Sequence, residues 1–388
     1  MRTFTRSVEF DFVGWTVRAL GVRSGEFVHH AGAYLQDADR QALVREYFRL
    51  LENERVQGRE LEMALSDPEG TFSSQEIDAL RSAWEGARAE VDEIQPIVET
   101  IMQEQVAETL INLGLGKGGK LFPPVAFKFT ALPVSLIISP REVIRRDQSV
   151  SLEGSLSLEQ KIALEEAVAQ SLDVSALVEN VGGISTYPTM VVESTSIVWL
   201  FDVITHEWVH NYLTFRPLGL NYNTSEDLRT MNETTASLLG GEVGLEVLRR
   251  YYPDLVPPPS TPPSENESQE NETPPMFDFQ HEMHITRLEA DRLLSEGQIE
   301  QAEAYMEARR QVFWEHGYLI RKLNQAYFAF HGAYAATSQG AAGDDPVGSA
   351  VRTLWERSDS PVEFLRTMAW MNEFSDLERL LDRSDASE

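Results

Sequence analysis

Residues 205–210, with the sequence Thr-His-Glu-Trp-Val-His, constrain this chain more than any other stretch. They place two imidazoles, His206 and His210, four residues apart. Positions i and i+4 lie on one face of a helix, so this pair can bind a single metal ion together. Glu207 directly follows the first imidazole and is placed to accept a proton from water at that ion. The segment therefore predicts a helix that supplies part of a zinc site.

The flanking sequence favours a helix over a strand. Residues 196–213 contain neither glycine nor proline and are rich in apolar side chains. Thr195 or Ser196 can cap the start of this helix, and Pro217 lies just beyond its end. The β-branched residues also permit a strand, but the length of the run favours a helix. The other interpretation is a buried helix whose two histidines are satisfied by hydrogen bonds in the core.

A zinc site needs a third protein ligand beside an open position for water, and Glu233 is the best candidate. It follows His210 after 22 intervening residues, enough for a loop and the start of a second helix. Thr224 or Ser225 can cap that helix, which Pro253 ends. The alternative is that Glu233 is a solvated surface acid.

Glycines follow the third candidate ligand, at Gly240, Gly241 and Gly244. Glycine is costly inside a helix, so its repeated use suggests a close approach to another element. The helix that carries His206 and His210 is the expected partner. Small residues at that contact would allow Glu233 to reach the metal.

The motif pair at His206-Glu207-x-x-His210 and Asn232-Glu233-x-x-Ala236 resembles the gluzincin metallopeptidases. This resemblance implies zinc ligation by the two histidines and Glu233, with Glu207 as general base and acid. The aspartate that usually follows the glutamate ligand by one turn is absent, because Ser237 stands there. Support for a ligating histidine must then come from Ser237, Thr234, Asp202 or elsewhere.

A weaker resemblance to bacterial zinc aminopeptidases covers roughly residues 180–340. Its blocks are residues 183–188, the two metal motifs, and residues 324–326 with Tyr334 beyond them. Gluzincins commonly stabilise the oxyanion with a tyrosine or histidine downstream of the ligand helix. Tyr327, His331 and Tyr334 are candidates here, and the third block favours Tyr334. An aromatic helix face packed in the core is an equal alternative.

Residues 184–192 are rich in β-branched side chains and predict an edge strand near the metal helix. Zincin peptidases usually bind substrate against such an edge by strand addition. Gly183 would permit close approach of the substrate, and Tyr187 would contact it. An ordinary strand that follows a glycine turn remains the alternative.

The predicted fold class is α+β and predominantly helical, with a zincin-like core, a small mixed sheet and an N-terminal helical hairpin. Residues 125–130 and 134–139 are expected to pair as a β-hairpin or meander. Residues 157–180, 278–296 and 300–335 are expected to be helical. The predicted regions are 1–114 (helical), 121–252 (metal-binding core), 253–276 (flexible, Pro/Glu-rich) and 277–388 (helical, completing the cleft).

The charge balance restricts the partners. The formal net charge is -29, from 33 Lys and Arg against 62 Asp and Glu, which makes nucleic acid and anionic membranes poor partners. No apolar run is long enough for a membrane span, and no cysteine is present. The sequence leaves the compartment open, because an anchor upstream of Met1 would place the protein outside the cytoplasm. The oligomeric state is also open.

These features predict a zinc-dependent peptidase with one Zn²⁺ ion that acts on peptides or proteins. Aminopeptidase activity would need an acid for the substrate's α-ammonium group, and Glu193, Glu226 and Glu242 are the visible candidates. Two alternatives remain. One is a zinc-binding interaction module with little or no turnover, and the other is a zinc hydrolase acting on a different amide or ester.

Overall fold

The structure is a computed structural model that describes residues 1–16, 19, 35–66, 71–258, 277–333, 343 and 345–385. Most of these residues are helical, which confirms the predominantly helical α+β class. The helices are α1 (Arg2–Thr5), α2 (Asp37–Leu65), α3 (Ser74–Asn112), α4 (Leu158–Leu172), α5 (Ile197–Leu213), α6 (Pro217–Leu220), α7 (Glu226–Tyr251), α8 (Phe279–Ser295), α9 (Ile299–Glu315), α10 (Gln325–His331), α11 (Pro346–Arg357), α12 (Pro361–Met368) and α13 (Phe374–Asp385). The strands are β1 (Phe127–Phe129), β2 (Val134–Pro140), β3 (Gln148–Leu152), β4 (Val174–Asn180), β5 (Gly183–Ile184) and β6 (Thr189–Val191).

The long helices α2 and α3 pack against each other and against the later helices. Ser73 and Glu76 form a capping box that fixes the start of α3. Val44 of α2 and Val98 of α3 belong to the same buried cluster as Leu200 of α5 and Val243 of α7. The N-terminal helices therefore help to hold the two helices that carry the metal motifs.

Helices α5 and α7 lie against each other at glycines. A Cβ atom on Gly240 would come within 3.0 Å of the Asp202 carbonyl oxygen and 3.2 Å of the His206 Cβ. One on Gly244 would come within 2.9 Å of the Asp202 nitrogen. The predicted close approach therefore occurs at these two positions, whereas a Cβ on Gly241 would meet nothing within 4 Å.

Within the described residues, the strands form two three-stranded sheets with the orders β3-β2-β4 and β1-β6-β5. The first is antiparallel and packs against α4. The second is mixed, because β1 runs parallel to β6 while β5 runs antiparallel to it. Its edge strand β5 lies beside α5.

The pairing of the first strands was predicted wrongly. β1 and β2 do not form a hairpin, because β1 joins β6 in one sheet and β2 joins β3 and β4 in the other. Residues 184–192 are not one edge strand either. They divide into β5 and the central strand β6, so the edge offered beside the metal helix is only two residues long.

Two predicted helices end earlier than expected. Helix α4 ends at Leu172, its capping residue Asp173 adopts a left-handed conformation with φ 51°, and β4 follows at once. The helix predicted over residues 300–335 is interrupted after Glu315, where Gly317 has φ 86°, and α10 begins only at Gln325. The expected helix over residues 278–296 agrees with α8.

The Pro/Glu-rich region begins with a short 3₁₀ helix at Pro253–Leu255, and residues 259–276 lie outside the described residues. Beyond it, α8, α9 and α10 share a second buried cluster, which includes Met283, Phe313 and Phe328. Helices α11 and α12 return to the main core through Val351 and Phe364. No helix among the described residues has the length and apolar character needed to cross a membrane.

Candidate metal centre

Three side chains from two helices converge on one point. His206 and His210 project from adjacent turns of α5, and Glu233 projects from α7. The Nε2 atoms of the two histidines are 3.1 Å apart, and they lie 3.5 Å and 3.3 Å from Glu233 Oε2. Ligands about 2.0–2.1 Å from a tetrahedral zinc ion are about 3.3 Å from one another. This triangle of donor atoms therefore has the dimensions of three corners of such a site.

The buried oxygen of Glu233 supports this fit. Glu233 Oε2 is shielded from solvent and accepts no hydrogen bond from any described residue. A buried carboxylate oxygen without a donor is costly unless a cation or another donor compensates it. The donor set of two imidazoles and one carboxylate is one that zinc commonly uses. The group can therefore hold a metal ion.

The protonation states of these groups are linked to one another. Burial alone would lower the pKa of His210, but the adjacent Glu233 carboxylate outweighs this effect and raises it to about 9. Burial opposes ionisation of Glu233, yet His210 and His206 hold the pKa of its carboxyl well below the usual range. Glu233 is therefore ionised at neutral pH, and a metal ion that binds here displaces a proton from the histidines.

Asn232 supports His210 from behind. Its Oδ1 lies 2.7 Å from His210 Nδ1, while its own Nδ2 donates to the Leu218 carbonyl at 3.3 Å. This contact places an N–H of His210 on Nδ1, so Nε2 is the nitrogen that faces Glu233 and can bind a metal ion once its proton is displaced. Asn232 belongs to the motif quoted from the sequence, but no supporting role was predicted for it.

The three side chains expected to support the histidines, those of Ser237, Thr234 and Asp202, make weaker contacts with them than Asn232 does. Ser237 Oγ lies 3.5 Å from His206 Nδ1, which is the long limit of a hydrogen bond. The Thr234 hydroxyl is buried and meets no hydrogen-bond partner among the described residues. Asp202 lies one turn before His206 on α5, where burial raises the pKa of its carboxyl.

Glu207 is buried beside the three converging residues. The Ser185 hydroxyl donates a hydrogen bond to its Oε2. Gly183 of β5 lies against the same side chain, since a Cβ on Gly183 would come within 2.6 Å of Glu207 Cγ and Oε1. The glycine predicted to admit substrate therefore also makes room for the carboxylate that was predicted to act as the base.

Tyr222 and Arg146 extend the site on the other side of Glu233. The Tyr222 hydroxyl donates to Glu233 Oε1, so the second oxygen of that carboxylate is the one left facing the histidines. Arg146 Nη2 donates to the Tyr222 oxygen at 3.3 Å. Burial, followed by the Glu233 charge, raises the pKa of the Tyr222 hydroxyl, which therefore keeps its proton. Sequence reasoning missed both residues, because neither belongs to a local pattern.

A cavity of about 590 Å³ opens onto these groups. It lies between α5, the start of α7, strands β2 and β3, and β5. Its walls combine the three candidate metal ligands with polar and apolar side chains: Ser135, Arg146, Ser149, Ser151, Gly183, Ile184, Ser185, Tyr222, Asn223 and Phe330 are among them. The cavity can therefore receive a small or extended ligand within reach of Glu207.

The remaining predicted site residues lie elsewhere. Tyr187 is 39% exposed and is not part of the cavity wall, in contrast to Gly183. Tyr334 lies outside the described residues. Tyr327 and His331 are in α10 but do not line the cavity, because the residue of α10 in the cavity wall is Phe330. Tyr222 is thus the tyrosine that the described part of the chain brings to the cavity.

The acids considered for an α-ammonium group do not line the cavity. Glu193 pairs with Arg88 at 2.8 Å and accepts a hydrogen bond from Tyr47. Glu226 accepts from the Arg146 backbone nitrogen at 2.9 Å. Glu242 lies near Arg249 on the exposed face of α7. Among the described residues, the carboxylates in the cavity wall are those of Glu207 and Glu233.

Comparison with known protein families, curated proteins and solved structures finds no match for this chain. The chemistry of the site must therefore be inferred from its own residues.

Proposed function

We propose that this protein is a zinc-dependent peptidase with a gluzincin-like site in a zincin-like core. The observation that carries the proposal is the triangle of His206 Nε2, His210 Nε2 and Glu233 Oε2, with the Glu207 carboxylate on the same wall of the cavity. A bound zinc ion supplies Lewis-acid polarisation of a carbonyl group and acidifies water.

Glu207 performs the proton transfers. Ser185 holds Oε2 of this carboxylate by a hydrogen bond, and Gly183 packs against its stem. A carboxylate fixed in this way accepts a proton from water and later delivers it to the leaving amine. The short edge of β5 lies next to Glu207 and offers main-chain groups to an extended peptide.

The proposal extends to peptidase activity and not to aminopeptidase activity. An aminopeptidase holds the substrate's α-ammonium group with an acid, and the described part of the cavity wall offers only Glu207 and Glu233, which already have roles. The zinc peptidase assignment does not depend on this distinction, because the metal ligands and the general base are the same in both cases.

Glu207→Gln tests the proposal, with Glu242→Gln as a matched control on the exposed face of α7. Zinc-loaded proteins are assayed on internally quenched peptides with free and blocked termini, and zinc content is measured in parallel. Glu207→Gln should keep its zinc and lose about 10²–10⁴-fold in kcat/KM, whereas the control should behave as wild type. Zinc-loaded wild type that cleaves no peptide, or a Glu207→Gln variant of full activity, would refute the proposal.

A further inference from the structure

Arg146 presents a cation to the metal-binding cavity. It lies on the loop between β2 and β3, and its backbone nitrogen is anchored to Glu226 at the start of α7. Its Nη2 atom donates to Tyr222 at 3.3 Å, and its guanidinium carbon lies 5.9 Å from the centre of the Tyr222 ring. The side chain is therefore fixed at the cavity wall, one hydrogen bond from the residue that contacts Glu233.

The Arg146 guanidinium forms no ion pair with any described residue. Its neighbour Arg145, by contrast, is exposed and pairs with Asp147 at 2.7 Å. This difference is informative in a chain with 62 acids and 33 lysines and arginines, where most arginines can find a carboxylate. An arginine that lines a cavity, with only one of its five donors used by a neutral phenol, is available to an anion.

A second arginine lies close to the first. Arg229 of α7 is buried, its Nε meets no hydrogen-bond partner among the described residues, and its nearest acid, Glu226, is 3.8 Å away. Burial, and next the charge of Arg146, lowers the pKa of Arg229. Glu226, which accepts a hydrogen bond from the Arg146 backbone nitrogen, lies 3.8 Å from Arg229, so two cationic side chains stand close together beside this part of the cavity wall.

We propose that Arg146 binds a carboxylate of the substrate close to the scissile bond. This inference rests on the proposed function and specifies its substrate class. A guanidinium group binds carboxylate in a bidentate manner and holds it in a fixed orientation. Glu233 contacts Tyr222, and Tyr222 contacts Arg146. These contacts place a carboxylate bound by Arg146 on the order of 10 Å from the centre of the three candidate ligands. This distance corresponds to about three residues of extended peptide.

The carboxylate can come from two sources on a peptide. One is the free C-terminus, in which case the enzyme removes a short peptide of about three residues from the C-terminal end. The other is the side chain of an Asp or Glu residue near the cleaved bond. Three acetylated peptide series separate these sources: one ends in a free carboxylate, one ends in an amide, and one ends in an amide but carries Asp or Glu near its end.

The first test compares cleavage of these peptides by wild type, Arg146→Gln, Arg146→Lys and Arg145→Gln, with products identified by mass spectrometry. Wild type should prefer a carboxylate-bearing series over the plain amide series by at least about tenfold in kcat/KM. Arg146→Gln should lose this preference, because its kcat/KM should fall much further on the carboxylate-bearing series than on the plain amides. Arg146→Lys should keep part of it, and Arg145→Gln, on the same loop, should keep all of it.

The second test measures binding without turnover. Zinc-loaded Glu207→Gln protein is titrated by calorimetry with acetyl-tetraalanine as free acid and as amide, and then with its Asp-containing amide. A carboxylate form should bind at least about tenfold more tightly, and Arg146→Gln in the same background should remove the difference. Zinc content, measured in parallel, should be the same in all variants.

The outcomes distinguish this inference from the function on which it rests. If zinc-loaded wild type cleaves no peptide, the proposed function fails, and the binding test still decides the role of Arg146. If peptides are cleaved or bound without regard to their carboxylates, or if Arg146→Gln keeps the preference, the assignment of Arg146 is wrong while the peptidase proposal stands.

Discussion

At the scale of single residues, the site depends on which nitrogen of each imidazole faces Glu233. Asn232 settles this for His210, because its Oδ1 is 2.7 Å from Nδ1. For His206, the contact between Nδ1 and the Ser237 hydroxyl is 3.5 Å and correspondingly weak. The hydrogen bond between Asn232 and His210 is therefore stronger than the one between Ser237 and His206, although both supporting residues lie on α7.

This difference predicts unequal effects on metal affinity. Asn232→Ala should weaken zinc binding about 10–100-fold, because His210 loses the group that orients it, whereas Ser237→Ala should change it much less. Asn232→Asp keeps an oxygen acceptor and should recover most of the affinity. Competition with a chromophoric chelator measures all three variants. Equal affinities for Asn232→Ala and wild type would show that Asn232 does not hold the ligand.

The sequence identified the candidate metal ligands but not the residues around them. Helical spacing makes His206, Glu207 and His210 recognisable, whereas Glu233 was predicted from its distance along the chain and from the resemblance of its motif. Tyr222 stands in a turn, and it reaches Glu233 only because of how α6 and α7 are joined. No periodicity along the chain encodes such a contact, so it could be found only from the fold.

At the scale of elements, the contact between α5 and α7 sets the distance between the histidines and Glu233. Gly240 lies at this contact, where a Cβ would approach the Asp202 carbonyl oxygen to 3.0 Å. Gly241, the next residue, faces open space. The two adjacent glycines therefore differ in packing while they share a helix.

Alanine substitutions at these glycines should have opposite effects. Gly240→Ala should destabilise the fold by about 1–3 kcal/mol, because α5 and α7 must move apart, and it should weaken zinc binding as well. Gly241→Ala should stabilise the fold by up to about 1 kcal/mol, because alanine favours the helix and meets no neighbour. Urea unfolding measures both free energies. A Gly240→Ala variant as stable as Gly241→Ala would contradict the predicted close packing.

Helices were easier to predict than strand pairings. The periodic runs that became α3 and α5 contain their own signals, such as the Ser73 capping box. The parallel pairing of β1 with β6 joins residues about sixty positions apart and has no local signal. Gly317, which adopts a positive φ just after α9, was a visible stop that the sequence analysis did not use.

At the scale of the whole molecule, the net charge of -29 contrasts with the cation of Arg146 in the cavity wall and with the buried Arg229 near it. Long-range attraction therefore favours cationic ligands in general, while Arg146 offers hydrogen-bond donors to an anion at one position in the cavity wall. The amino-acid composition could not predict these local charges, because it does not specify where each charged side chain lies in the fold.

Acid stability provides a prediction at this scale. Burial lowers the pKa of His331 to about 4, and its ring packs beside those of Tyr327 and Phe330. An unfolded chain takes up this proton near pH 6.5, so the stabilising effect is complete above that pH and is lost as the pH falls towards 4.

Wild type should therefore lose about 2 kcal/mol more than His331→Gln in free energy of unfolding between pH 7 and pH 5. Urea unfolding of both proteins at several pH values measures the difference. Parallel curves for the two proteins would mean that His331 titrates normally in the fold.

The central claim is that His206, His210 and Glu233 bind one ion together. Zinc content after equilibrium dialysis, measured by mass spectrometry, tests it directly on wild type, His206→Ala, Glu233→Ala and the control His316→Ala, whose imidazole is exposed on the C-terminal end of α9. Wild type and the control should hold one zinc per chain, and the two ligand variants should hold far less while remaining folded. A wild-type protein that stays free of zinc, or ligand variants that keep a full equivalent, would contradict the account.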